Sequence, residues 1–340
     1  MASNISSAIY EHNAEPIQRH LARPDVTELV INRPGMIGLE TRNGWEWHEE
    51  PALDNAALMT LAKLIAGLTK QDINSEYPVC SSVLPGGERA QVVVPPAVEQ
   101  GFISITIRKA SGVSMDIDDF ERGGLFSEVR ATGLHGEVDD ELEQLREAGE
   151  WKAFFRRAVE SRKNILISGA TGSGKTSFSK GLIKLIPDYE RILTIEDTRE
   201  LVVPHPNRVH MMYAKDGKGL QKAGAQELLE SALRMRPDRI LLQELRDGTA
   251  FYYLRNVNSG HPGSITTIHA NTPEGAFEQL TLLVKQSEGG SDLDRDDVRA
   301  LLRSSVDIVV QMHRIPPGVG KPARYRMTGV WFDPASKSRN

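Results

Sequence analysis

Apolar and polar positions follow two textures along the chain. From Val26 to Arg108 they alternate in short runs closed by turn residues: "VTELVINRPG", "MIGLET" with "RNG" before "WEWHEE", "SSVLPGGERAQVVVPP" and "GFISITIRK". Alternation bounded by Gly, Pro and Asn is the pattern of half-buried strands. One helical stretch interrupts it, Asn55 to Thr69, where Leu58, Leu61, Ala62, Ile65 and Leu68 recur at helical spacing. The pattern predicts a smaller α+β N-terminal domain over residues 1–110. Within "FISITIRK" it puts Phe102, Ser104, Thr106 and Arg108 on one face and Ile103, Ile105 and Ile107 on the other, so Arg108 ends a strand on its more polar face.

Residues 111–150 are rich in glycine and acid and poor in large apolar side chains, which reads as a solvated linker with a short helix from about Asp139 to Glu147. From 151 to 340 helix and strand patterns alternate. Trp151, Phe154, Phe155, Ala158 and Val159 line one helical face. The buried runs "NILIS", "RILTIED", "RVHMMY", "DRILLQE", "SITTIHA" and "SVDIVVQM" are separated by helical segments, among them "AQELLESALRM", "TAFYYLRNVNS" and "PEGAFEQLTLLV". Continuous apolar strands between helices predict an α/β domain, a mostly parallel sheet covered on both faces.

Composition changes this picture little. A chain of 340 residues exceeds what one core usually serves, and a net charge of −5 lacks the basic footprint of a nucleic-acid binder, so no specific nucleic-acid binding is expected. The single cysteine, Cys80, excludes an intrachain disulfide and a multi-cysteine metal site and reads as a small core residue. No basic n-region precedes an apolar run and no window reaches spanning length, so a soluble, cytoplasmic protein is expected, with peripheral membrane attachment left open.

Candidate chemistry begins at "GATGSGKT", Gly169 to Thr176, which satisfies G-x-x-x-x-G-K-[ST] between a strand pattern and a helix pattern. Glycines at 169, 172 and 174 let the loop, with Ala170, Thr171, Ser173 and the following Ser177, curl so that N–H groups converge on phosphate oxygens at a helix N-terminus. Lys175 can reach the β- and γ-phosphates of ATP, and the Thr176 hydroxyl can complete a Mg²⁺ shell of phosphate oxygens and water. Carboxylates are expected across from this loop. "DRILLQELRDG" ends a buried run in Glu244, and "RILTIEDTREL" ends in Glu196, Asp197 and then Glu200. Such acids at the C-terminal edge of a parallel sheet can hold a metal's water or orient an attacking one. "SGHPGSITTIHAN" adds His261 and His269; the second ends a strand on the phosphate side, where an imidazole could sense the γ-phosphate.

Together "GATGSGKT", "LTIEDTREL", "LRMRPDRILLQELR" and "SGHPGSITTIHAN", in this order and spacing, resemble the Walker A, Asp box, Walker B and His box of the secretion ATPase superfamily. Within it, "LRMRPDRI" and the compact N-terminal domain look most like the type IV secretion ATPases of the VirB apparatus, relatives of type II secretion and type IV pilus motors. The resemblance implies a RecA-like P-loop domain in a hexameric ATPase at the cytoplasmic face of the inner membrane, working with other type IV secretion inner-membrane components. It also implies nucleotide held between the two domains of a protomer near a subunit boundary. It maps Lys175 to the Walker lysine, Glu244 to the Walker B glutamate, Glu196, Asp197 and Glu200 to the Asp box, and His269 to the His box; in the mechanism expected from these residues Glu244 orients the attacking water, with Glu196 the runner-up. An N-terminal-domain arginine reaching the phosphates maps to Arg108, with Arg122 and Arg130 as further candidates. One departure is Gln243, where the family usually carries glycine. A DNA-translocating motor and a non-catalytic nucleotide-binding scaffold are the rival classes; the acidic balance counts against the first and the full acid and base set against the second.

Overall fold

The computed structural model describes residues 2–109, 116–127, 136–214, 220–258, 260–318 and 322–335. The first domain opens with α1 (Ala2–Asn13) and α2 (Glu15–Leu21). A meander follows, β1 (Glu28–Arg33), β2 (Met36–Thr41) and β3 (Gly44–Glu49), then α3 (Asn55–Leu68) and the strands β4 (Val79–Val83), β5 (Arg89–Val93) and β6 (Ser104–Arg108). The six strands form one antiparallel sheet in the order β3-β2-β1-β6-β5-β4. Asp54 caps α3 by accepting the Ala57 N–H at 2.8 Å. Leu58, Leu61 and Ile65 of α3 bury with Tyr10 and Ile17 of the first two helices against Leu29, Ile31, Val92, Ile105 and Ile107. Cys80 lies in this core, and burial pushes its thiol up to about 11.

The polar face of β6 is not a solvent face. Ser104 and Thr106 are buried because that side of the sheet packs on the second domain. Arg191, wholly buried, donates to Thr106 Oγ1 at 3.2 Å, to Asn32 Oδ1 at 2.8 Å, to Asn207 Oδ1 and to the Met235 carbonyl at 2.8 Å. Gln91 donates to Ser231 Oγ at 2.9 Å. Around these bonds, Val93, Ala97 and Val98 join the apolar core of the second domain. A buried guanidinium needs such partners, since an unpaired one would cost several kcal/mol, of the order of 3–5.

Between the domains, α4 (Ile117–Arg122) carries a capping box between Asp116 and Asp119 and buries no side chain. The expected linker helix is α5 (Glu137–Glu147). It belongs to the second domain: Leu142 enters that domain's core beside Phe154, while Glu141 accepts from Arg157 at 2.6 Å and Asp139 from Lys163. The acidic run conceals this docking because a single buried leucine anchors it.

The second domain continues through α6 (Trp151–Glu160), β7 (Ile165–Gly169), α7 (Lys175–Ile183), β8 (Ile192–Glu196), β9 (Arg208–Met212), α8 (Ala225–Leu233) and β10 (Arg239–Leu242). It closes with α9 (Thr249–Asn258), β11 (Ile265–Ile268), α10 (Pro273–Gln286), α11 (Arg295–Ser305), β12 (Ile308–Ile315) and β13 (Arg324–Phe332). Parallel strands run β10-β8-β9 in one half and β11-β7-β12 in the other, with β13 antiparallel at the edge. The halves meet where β10 and β11 end. There the Leu245 N–H donates to the Thr267 carbonyl at 2.8 Å and Thr267 Oγ1 to the Gln243 carbonyl at 3.1 Å. Helices α8 to α11 cover one face and α5 to α7 the other, the two-faced burial that the apolar strand runs require.

Candidate nucleotide site

Strand β7 is buried along its length and delivers Gly169 to the C-terminal edge of the sheet. Gly169 has φ +157°, and a Cβ there would come within 2.5 Å of Ser173 Oγ and 2.6 Å of the Met312 carbonyl, so the loop can start only on glycine. Gly174, at φ +92°, is the N-cap of α7 and turns the chain into that helix. The loop amides and the positive end of α7 then face an open cleft of about 960 Å³.

Lys175 extends back along this loop. Its ammonium donates to the carbonyls of Gly169 at 2.7 Å and Ala170 at 3.2 Å, and lies 3.4 Å from Nδ1 of His269. Burial pulls the Lys175 pKa below its ordinary value, and the carboxylate of Glu244 opposes that pull. His269 sits at the end of β11, with Nε2 2.7 Å from Oε1 of Glu244. Since Lys175 can only donate, its contact assigns Nδ1 as an acceptor and places the ring proton on Nε2, toward Glu244. Lysine, imidazole and carboxylate thus form one chain across the cleft.

Arg246, two residues beyond Glu244, closes the opposite wall. Its guanidinium pairs with Asp197 and lies 3.7 Å from Glu244 Oε2, tying the two acidic segments together. The pattern of hydrophobic positions passes over Arg246 because it lies past the buried run; its signal is an arginine two positions after a strand-end acid. Asp197, Thr198, Glu200, Gln243, Glu244, His269 and the loop residues Thr171 to Phe178 line the same cleft. Glu244, Asp197, Glu200 and His269 thus line one cleft with the P-loop. The side chain of Gln243 borders the cleft beside Glu244.

Glu196 is placed differently. Its side chain is fully buried and outside the cleft lining. Oε2 accepts the N–H groups of Glu200 and Leu201, both at 2.7 Å, and Oε1 accepts from Thr194 Oγ1 at 2.7 Å with His210 Nδ1 at 3.5 Å. Burial alone would raise its pKa, but the bonds from His210, Leu201, Glu200 and Thr194 outweigh that and hold it below the usual glutamate value. With both oxygens engaged, Glu196 shapes the turn that presents Asp197 and Glu200 and is not positioned to hold an attacking water. This corrects its place as runner-up.

The arginines of the first domain are also elsewhere. Among the described residues the lining of the cleft comes from the second domain alone, so they form no two-domain nucleotide pocket of the kind expected. Arg108 is exposed at the end of β6, 3.5 Å from Glu28 Oε1, and borders a separate groove between the domains together with Arg89, Arg234, Arg236 and His261. Arg122 pairs with Asp119 on the surface, and Arg130 lies outside the described residues.

The donors present fit a metal that arrives on the nucleotide. Thr176 borders the cleft beside the loop, with Asp197 and Glu244 across from it, and among the described residues no three His, Cys, Asp or Glu side chains gather as a self-sufficient metal cage. Among the described residues, too, no helix is long and apolar enough to cross a membrane.

Comparison with known proteins agrees with this geometry. Residues 136–318 match the family model described as Type II/IV secretion system protein. The chain is 52% identical to the type IV secretion system protein VirB11 of Bartonella henselae over 99% of its own length and 96% of the relative's. It is 41% identical to VirB11 of Brucella suis, covering 97% and 92% of the two chains. It is likewise 41% identical to the type IV secretion system protein PtlH of Bordetella pertussis, covering 96% and 95%. The crystal structure of the VirB11 ATPase from the Brucella suis type IV secretion system in complex with sulphate superposes with a TM-score of 0.92 at 41% identity, covering 99% of this chain and 98% of that one. With the phosphate loop, the two acidic strand ends and the histidine of β11 gathered in one cleft, the chain belongs to the type II/IV secretion system protein family, on its VirB11 branch.

Proposed function

We propose that the protein is an ATPase that powers a type IV secretion system by hydrolysing the γ-phosphoanhydride of ATP. The observation that carries this reading is the chain from Lys175 through His269 to Glu244, laid across the phosphate loop. Loop amides and Lys175 cradle the phosphates and offset charge that develops on their oxygens. Lys175 now spends its donors on the loop carbonyls, and an arriving phosphate would offer it oxygens in their place. Glu244 accepts a hydrogen bond from the water aligned with the γ-phosphorus, and His269 fixes the carboxylate that does so. Arg246 holds Asp197 and Glu244 at one separation, so the two acidic segments respond together. The Thr176 hydroxyl, with Asp197 and Glu244 acting by way of water, would hold a Mg²⁺ ion arriving with the nucleotide, which would supply neutralisation of phosphate charge.

Because Arg108 lies away from the cleft of its own chain, its role as a phosphate clamp belongs to a neighbouring subunit's nucleotide in a ring, for which six subunits is the family expectation. The ring would work at the cytoplasmic face of the inner membrane against other components of the apparatus. Steady-state ATPase assays with light scattering on the parent and on Lys175→Ala test the whole reading. A ring-sized species whose turnover disappears in the variant supports it. Turnover retained in Lys175→Ala sinks it.

A further inference from the structure

The cleft is chemically lopsided, and the asymmetry follows strand order. On one side of β7, strands β11, β10 and β8 bring His269, Glu244, Arg246, Asp197 and Glu200. On the other side, β12 and β13 bring Met312 and Tyr325, and the first turn of α7 adds Phe178. A triphosphate lying along the loop with its γ end at the acids must carry its nucleoside toward the apolar end.

Tyr325 is the group shaped to receive it. Its ring lies against the loop, with Cδ1 3.2 Å from where a Cβ on Gly174 would stand, and Met312 Cε is 3.8 Å from the same point. Tyr325 is paired in register with Arg314, and Met312 with Met327, so these four side chains share one face of the β12–β13 ribbon. Arg314 reaches to 4.0 Å from the Cβ position of Gly172 and makes no ion pair among the described residues. Phe178 is engaged edge-on with Phe155 at 5.2 Å and 84°, whereas Tyr325 is 57% exposed. More than half exposed on the edge strand, Tyr325 offers a flat π surface next to the phosphate loop.

We propose that Tyr325 is the base-stacking residue of the nucleotide site, with the β12–β13 hairpin as the shelf on which the nucleobase lies. This rests on the nucleotide reading above and adds the part of the ligand that the motifs leave unassigned. Stacking is tolerant of base identity, so the hairpin favours a nucleotide over a bare phosphate chain without demanding adenine.

Calorimetric titration with ATP and with inorganic tripolyphosphate, each with Mg²⁺, on the parent, Tyr325→Phe and Tyr325→Ala, is the test. The expected result is that Tyr325→Ala weakens ATP roughly ten- to a hundredfold while leaving tripolyphosphate unchanged, and that Tyr325→Phe binds both as the parent does. Equal weakening of both ligands in Tyr325→Ala would show a structural role and overturn the assignment, as would no change in either. If the parent bound tripolyphosphate as tightly as ATP, the stacking inference alone would fall. If the parent bound neither, the nucleotide reading would fall with it.

Discussion

The imidazole of His269 bridges Lys175 and Glu244, with Nε2 2.7 Å from the glutamate and Nδ1 3.4 Å from the lysine. A residue so placed sets the orientation of the carboxylate that the water will meet. His269→Ala should therefore lower kcat by about 100-fold, the cost of a misplacement near 1 Å, while ATP affinity stays near the parent's. Single-turnover kinetics with separate binding titrations will distinguish this from a loss of affinity.

Glu244 should show the complementary split between binding and chemistry. Glu244→Gln keeps the shape of the side chain and removes the carboxylate, so ATP should still bind while hydrolysis slows by about 10²- to 10⁴-fold. A rate equal to the parent's would remove Glu244 from the water's side of the reaction.

The buried carboxylate of Glu196 stabilises a turn. In Glu196→Gln an amide NH₂ faces the Thr194 hydroxyl or the N–H groups of Glu200 and Leu201, and the domain should lose about 2–4 kcal/mol in denaturant unfolding. The folded-state pKa is held below the unfolded one, so this stabilisation is complete above the ordinary glutamate range and is lost as pH falls through the lower folded value. The gap between parent and Glu196→Gln should therefore narrow on acidification.

Glu28 has the opposite sign. It is buried beside the interdomain groove with Oε2 unpartnered, and burial raises its pKa to about 7 despite Arg108 nearby. The folded state therefore holds the proton more tightly than the unfolded state, and the stability this confers is lost as pH rises through 7. Glu28→Gln should gain about 2 kcal/mol over the parent at pH 8 and little at pH 5, measured by thermal or denaturant unfolding.

Much of this was legible from residue order because the loop chemistry is local. The strand and helix flanking Gly169 to Thr176 are set by a buried apolar run and a left-handed glycine, and the strand ends carrying Glu244 and His269 follow the same logic. Elements with weak apolar period were not legible. The α1 and α2 segment is polar and mixed in pattern, and β13 opens on the exposed residues Arg324, Tyr325 and Arg326 with only Phe332 buried at its far end. The N-cap Asp294 with Val298 and Leu302 at helical spacing was a readable signal for α11. Glu196 misled because a strand-end acid looks the same in sequence whether its oxygens face the cleft or three local donors. The distance of Arg108 from the loop depends on how the polar face of β6 docks on Arg191, which no local pattern encodes.

The seam between the two half-sheets places one amide in a telling position. The N–H of Leu245, adjacent to Glu244, spans the junction to the Thr267 carbonyl, two residues before His269. A shift of the Glu244 strand end against the His269 strand end would strain or relieve this bond, together with the one from Thr267 Oγ1 to the Gln243 carbonyl. The rate at which that one proton exchanges with deuterated solvent would therefore act as a gauge of the cleft's mechanical state, slowing when the seam is clamped and quickening when it is released.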